Sequence, residues 1–221
     1  MTVDSPPYPV AAASNIPQNF ELIWTASPSY GGLSRSELTA LVHDGMLLRV
    51  LGPVYAAVGM GVTRHMKAAA IKLTMPPGIV HNAVLHRASA AWFYSCASTP
   101  SVVEFLTHRE HRSSIRPAPP TATVRWTIRQ VLYEPMDVDQ FYGVRVTTPL
   151  RTAADLACWQ HPDAFAALLV MLQAPHLGVN PSDVVRLLHT RPRVPHRPQA
   201  VVTIRKACRR LGLDIPKGAR L

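Results

Sequence analysis

Acidic side chains are scarce in this 221-residue chain: 13 Asp and Glu stand against 23 Lys and Arg, a formal net charge of +10. That deficit points to a polyanionic partner and is silent about fold. Long apolar runs are missing as well. The longest uncharged one, Ala164 to Gln173, is about half of the ~20 residues a spanning helix needs, so it reads as a core helix and no membrane partner is expected. The N-terminal stretch Met1 to Asn15 has no Lys or Arg ahead of an apolar segment and so lacks the basic start of a secretory signal; a cytoplasmic location is the expectation. The three cysteines, Cys96, Cys158 and Cys208, are odd in number and widely spaced in apolar surroundings, which suggests reduced core residues. No Cys-x-x-Cys or His-Glu-x-x-His occurs, and the pairs His81/His86 and His108/His111 have no Cys or carboxylate at ligand spacing, so no metal is expected. Gly-x-Ser-x-Gly, a phosphate loop and Gly-x-Gly-x-x-Gly are absent too. No enzyme activity, catalytic residue or cofactor is therefore predicted.

What is present is enough apolar residue, 48% against 16% charged, to build a core. The run Phe20, Leu22, Ile23, Trp24 suggests a short first helix, broken by Pro28, Gly31 and Gly32. Ser34 followed by Glu37 spells a capping box, Leu38, Leu41 and Val42 continue a helical stripe, and Gly45 is a stop. Two β-rich pieces, 47 to 50 and 53 to 57, hinge at Leu51-Gly52 as a hairpin. Helix, glycine stop and hairpin in that order are those of a winged helix-turn-helix, whose second helix enters the DNA major groove. Downstream, the pattern predicts a helix over His65 to Leu73, a strand over Ile79 to Val84 and a helix over Arg87 to Ala97. Strands are predicted over 101–106, 123–128 and 141–147, and helices over 148–160, 163–173, 181–190 and 199–211. Arg191 to Pro198, with three prolines, reads as an extended linker. Arg151 and Asp155, four apart on a predicted helix, make a local structural ion pair.

Three stretches in order carry a resemblance. Leu33 to Ala57, LSRSELTALVHDGMLLRVLGPVYAA, resembles the N-terminal winged helix of AbiEi-type antitoxins and related regulators. VLHRASAAW (84–92) is similar to the family's His/Ser-Ala-Ala helix, and YGVRVTTPLRTAADLA (142–157) to its Val-Thr-x-x-Arg-Thr-x-x-Asp-Leu segment. The resemblance implies the antitoxin of a type IV toxin-antitoxin pair, with a winged helix that binds the operon's own promoter DNA and a following domain that counteracts a nucleotidyltransferase-like toxin. Some relatives carry an endonuclease-like domain with an acidic core. Only Asp183 and Asp214 follow residue 175 here, so no such domain is expected.

The expected fold is thus α/β (α+β): a flexible arm at 1–18, a winged helix-turn-helix at 19–62, a mixed α/β antitoxin-like domain at 63–185, and a basic linker and C-terminal helix at 186–221. Ser34, Arg35, Ser36, Thr39, His43 and Arg49 are the candidate DNA contacts. Against Glu37 and Asp44 that is a thin cationic footprint, so the winged helix alone should bind DNA weakly. Most of the excess charge lies elsewhere: residues 186–221 hold ten Lys and Arg against Asp214 alone. On the last helix, Val201, Ile204, Cys208 and Leu211 form one stripe and Arg205, Lys206, Arg209 and Arg210 crowd the rest, making those four the candidate polyanion or partner contacts. A stand-alone winged-helix regulator without a toxin, and an RNA-binding accessory protein, are the alternative readings.

Overall fold

In the computed structural model, Ser34 and Glu37 close the reciprocal cap that their spacing predicts. The Glu37 N–H donates to Ser34 Oγ at 3.3 Å and the Ser34 N–H to Glu37 Oε2 at 2.7 Å, starting helix α1 (Arg35–His43). Gly45, at φ +71°, ends it; the Gly45 N–H donates to Val42 O and the Met46 N–H to Leu41 O. The structure describes residues 22–24, 33–59, 61–110, 116, 118–120, 122–191 and 194–215. The arm predicted at 1–18 lies outside them.

The stretch expected to open as a helix is instead strand β1 (Leu22–Trp24). It pairs antiparallel with β3 (Val54–Ala57), which pairs antiparallel with β2 (Leu47–Leu51), giving a sheet of order β1-β3-β2. The misreading has a physical cause. Both faces of this sheet are covered, so adjacent residues are apolar, as on one turn of a buried helix. Ile23, Leu47 and Tyr55 pack with Leu38 of α1 in a small core of their own, whereas Leu22, Val50, Leu51, Val54 and Ala56 join the main core.

Helices α2 (Arg64–Thr74) and α3 (Pro77–Asn82) follow. A strand was expected at 79–84; Pro77 favours a helical first turn, and only Val84–Leu85 (β4) is extended. Helix α4 (Arg87–Phe93) ends earlier than predicted, because Ser95 takes φ +64° and the Cys96 N–H reaches back to Ala91 O. Strands β5 (Val102–His108) and β6 (Arg125–Val131) run parallel. The single strand expected at 141–147 is the hairpin β7 (Val138–Phe141) and β8 (Val144–Thr147), turned by Tyr142 and Gly143, both at positive φ. The five-stranded mixed sheet has the order β6-β5-β4-β8-β7, with β4 parallel to β8.

Four helices complete the fold: α5 (Pro149–Cys158), α6 (Pro162–Gln173), α7 (Pro181–Thr190) and α8 (Arg197–Leu211). The described chain is therefore mixed α/β, with eight α-helices, one three-stranded antiparallel sheet and one five-stranded mixed sheet. Residue 186, where the basic C-terminal segment was expected to begin, lies within α7, and α8 sets Ala200, Val201, Ile204, Ala207 and Cys208 into the main core. Arg197 and Pro198, expected in a linker, form its first turn. No single helix among the described residues is long and apolar enough to cross a membrane.

Candidate nucleic-acid interface

Helix α1 is anchored by one residue. Leu38 is 0% exposed, and burying a leucine to that degree contributes roughly 1.5–3 kcal/mol. With Leu38 turned inward, the helical period sends Arg35, Ser36, Thr39 and His43 to one outward arc, and all four are exposed. Their polar groups are not equally available. Ser34 Oγ is engaged by the cap and lies 2.9 Å from Ser36 Oγ, and the Thr39 hydroxyl donates to Arg35 O at 2.8 Å. The Arg35 guanidinium and the His43 ring, the latter 3.6 Å from Asp44 Oδ1, are the long polar heads of the arc. Hydrogen bonds from the Ser34 side chain and then its backbone hold the Glu37 carboxyl below its usual range, so its negative charge persists at the start of the helix.

The hairpin that follows does not project. Gly52, at φ +53°, sits so close to Val124 that a Cβ built on it would run into Val124 Cγ2, and Thr99 Oγ1 donates to Val50 O at 3.4 Å. The turn is thus docked on the α/β body. Arg49 accordingly lies apart from the turn, its guanidinium 5.8 Å from the ring of the buried Tyr55, and it lines a cleft of about 330 Å³ between hairpin and body.

The far side of that cleft carries a residue the sequence pattern passed over. Lys67 is 4% exposed, and its Nζ donates to Trp92 O at 2.6 Å and Ser95 Oγ at 2.8 Å. Burial, with the positive charge of Arg64 adding to it and Cys96 opposing, brings its amine down to about 8. The clue in the sequence is a lysine set among Met66, Ala68, Ala70 and Ile71, all buried in α2.

On α8 the four candidate cations lie opposite the buried stripe, and their environments differ. Arg209 and Arg210 are exposed, Arg205 is half-buried, and the Lys206 ammonium lies 5.1 Å above the Phe165 ring of α6. The predicted pair Arg151 and Asp155 forms at 2.9 Å, but it is one link of a longer chain. Asp137, 3% exposed, receives Arg151 Nη1 at 2.9 Å on one carboxylate oxygen and Arg191 Nη2 at 2.8 Å on the other. Arg191 also reaches Glu134 at 3.3 Å, so this network ties the C-terminal segment to the loop before β7.

Among the described residues no group of three or more His, Cys, Asp or Glu side chains is placed to hold a metal ion, and His111 lies outside them. His86 is fully enclosed, and burial followed by the charges of Arg87, Arg129 and Arg151 holds its imidazole well below its usual range, as a neutral ring. No family model and no curated protein matches this chain.

Proposed function

We propose that the chain is an antitoxin-like regulator of the AbiEi type: a DNA-binding protein that represses its own operon and counteracts a nucleotidyltransferase-like toxin, acting by binding and not by catalysis. The observation that carries the DNA-binding half is the outward arc of Arg35, Ser36, Thr39 and His43 on a helix capped at both ends and pinned by Leu38. The sheet order β1-β3-β2 beside that helix supports a winged-helix reading of residues 22–57. The docked hairpin turn moves the expected contact from the wing to helix α1, where Arg35 is the base-reading candidate and the α8 cations add contact that does not depend on sequence.

The test has two arms. Titration of the purified chain against its upstream promoter duplex and a scrambled duplex should give tighter binding to the promoter. Arg35→Ala should weaken promoter binding by about 1–3 kcal/mol and leave scrambled binding nearly unchanged. Equal affinity for both duplexes removes the operator-binding half. Co-expression with the adjacent gene product should restore growth; a neighbour that is neither toxic nor nucleotidyltransferase-like removes the antitoxin half.

A further inference from the structure

A buried ammonium is costly unless something compensates it, and Lys67 has no carboxylate partner among the described residues. Two of its three donors are satisfied by Trp92 O and Ser95 Oγ, which leaves one in a side chain that lines the cleft. Arg49 brings a second cation to the same cleft, and it makes no ion pair or hydrogen bond among the described residues. The segment between α4 and β5 adds Ser95, Ser98 and Thr99, with Ser95 held at φ +64° where glycine is the usual choice. Among the described residues no acidic side chain lines the cleft.

We infer that this cleft is a binding site for the phosphate group of a small ligand, with Lys67 and Arg49 supplying charge and the Ser95 and Ser98 hydroxyls supplying hydrogen bonds. Two cations, two hydroxyls and no carboxylate among the described lining residues match an oxyanion with several acceptor atoms. The volume, about 330 Å³, lies at the lower end of the range of small-molecule sites. The depth of Lys67 argues for a small ligand over a duplex backbone, since a phosphate on the convex surface of DNA would not reach a side chain that is 4% exposed. The inference stands independently of the proposed operator binding.

Calorimetric titration of the full chain with inorganic phosphate and with sulfate tests it. Both anions should bind saturably at pH 7. Lys67→Met should weaken each by about tenfold or more, and Arg49→Ala, at an exposed position where folding is not at stake, by severalfold. Arg186→Ala, at an exposed position on α7, should change neither. Sulfate keeps its charge at alkaline pH, so its affinity should fall as pH rises through about 8, where Lys67 loses its proton. Arg64 and Cys96 are the other ionisable groups facing that amine, with Arg49 lining the same cleft. Absence of saturable binding overturns the site, as does equal binding by the native chain, Lys67→Met and Arg49→Ala. Displacement of sulfate by promoter duplex, lost in Arg49→Ala, overturns the small-ligand assignment and makes the cleft part of the DNA interface.

Discussion

Lys67 gives the stability of this fold a dependence on alkaline pH. Its amine titrates near 10.5 in an unfolded chain and at about 8 here, because burial disfavours the charged form. Between those values the unfolded state holds more protons than the folded one, so this residue's contribution makes stability rise with pH. The charge penalty is fully present below about pH 8 and relieved by about 10.5, a span equivalent to about 3 kcal/mol at 1.36 kcal/mol per unit. Urea unfolding of the native chain and of Lys67→Met at pH 7 and pH 10 should therefore show the native chain gaining on the variant by roughly 2–3 kcal/mol. The raised thiol of Cys158 and the raised hydroxyl of Tyr94 titrate in both proteins and cancel in the difference. A pH-independent difference would mean that the amine is hydrated in solution. Asp137 carries the opposite lesson, since here a buried carboxylate has two guanidinium partners. Asp137→Ala leaves Arg151 and Arg191 facing each other across a partly buried gap and should cost about 3 kcal/mol, read from the urea midpoint. A loss under about 1 kcal/mol would show that both heads swing into solvent.

The hairpin β2–β3 joins the two parts of the molecule, because one face of its sheet carries α1 and the other completes the main core. Its turn is constrained twice, by a left-handed backbone at Gly52 and by contact with Val124. Gly52→Ala should cost about 1 kcal/mol for the backbone alone and about 2 kcal/mol or more once the collision is added. In a Val124→Ala background the collision term disappears. A double-mutant cycle should thus give a coupling of about 1 kcal/mol between residues far apart in sequence; strict additivity would show that the turn is undocked. This contact marks the limit of what the sequence makes legible. Local rules sufficed where a feature is local: the Ser34/Glu37 box, the Gly45 stop, the hairpin hinge and the Arg151–Asp155 pair are all in place. They failed where tertiary cover decides. Leu22 and Ile23 are strand residues because both faces of their sheet are buried, and no pattern of residues 47–57 announces that the turn lands on Val124. The second carboxylate partner of Arg151 and the depth of Lys67 were hidden for the same reason. Each depends on elements that meet only in the fold.

At the scale of the whole molecule, the part of the excess positive charge that lies on α8 is held on the folded body. Ten of the Lys and Arg residues fall in 186–221, and α8 is set into the same core as α5, α6 and α7, so its cations are held at defined positions on the body and do not swing on a tail. That placement changes how they should act. A rigid basic face presents a constant number of charges to a polyanion and releases a constant number of counterions, whereas base discrimination belongs to the helix that can enter a groove. Lys206, Arg209 and Arg210 are exposed; Lys206 lies over the Phe165 ring, and Arg209 and Arg210 lie outside the buried stripe that holds α8 in place. Replacing both with Ala should reduce the slope of log affinity against log salt by about 1.8, close to 0.9 for each phosphate that is no longer neutralised. The reduction should be equal for promoter and scrambled duplexes, so the ratio of the two affinities should stay where the native chain sets it. Arg35→Ala should do the reverse, lowering the ratio while changing the slope by no more than a single phosphate's share. If the double variant changes the ratio and leaves the slope unaltered, α8 reads bases and the roles assigned to the two helices are exchanged. If it changes neither, the charge on α8 serves a partner other than nucleic acid, and an acidic protein surface becomes the partner to seek.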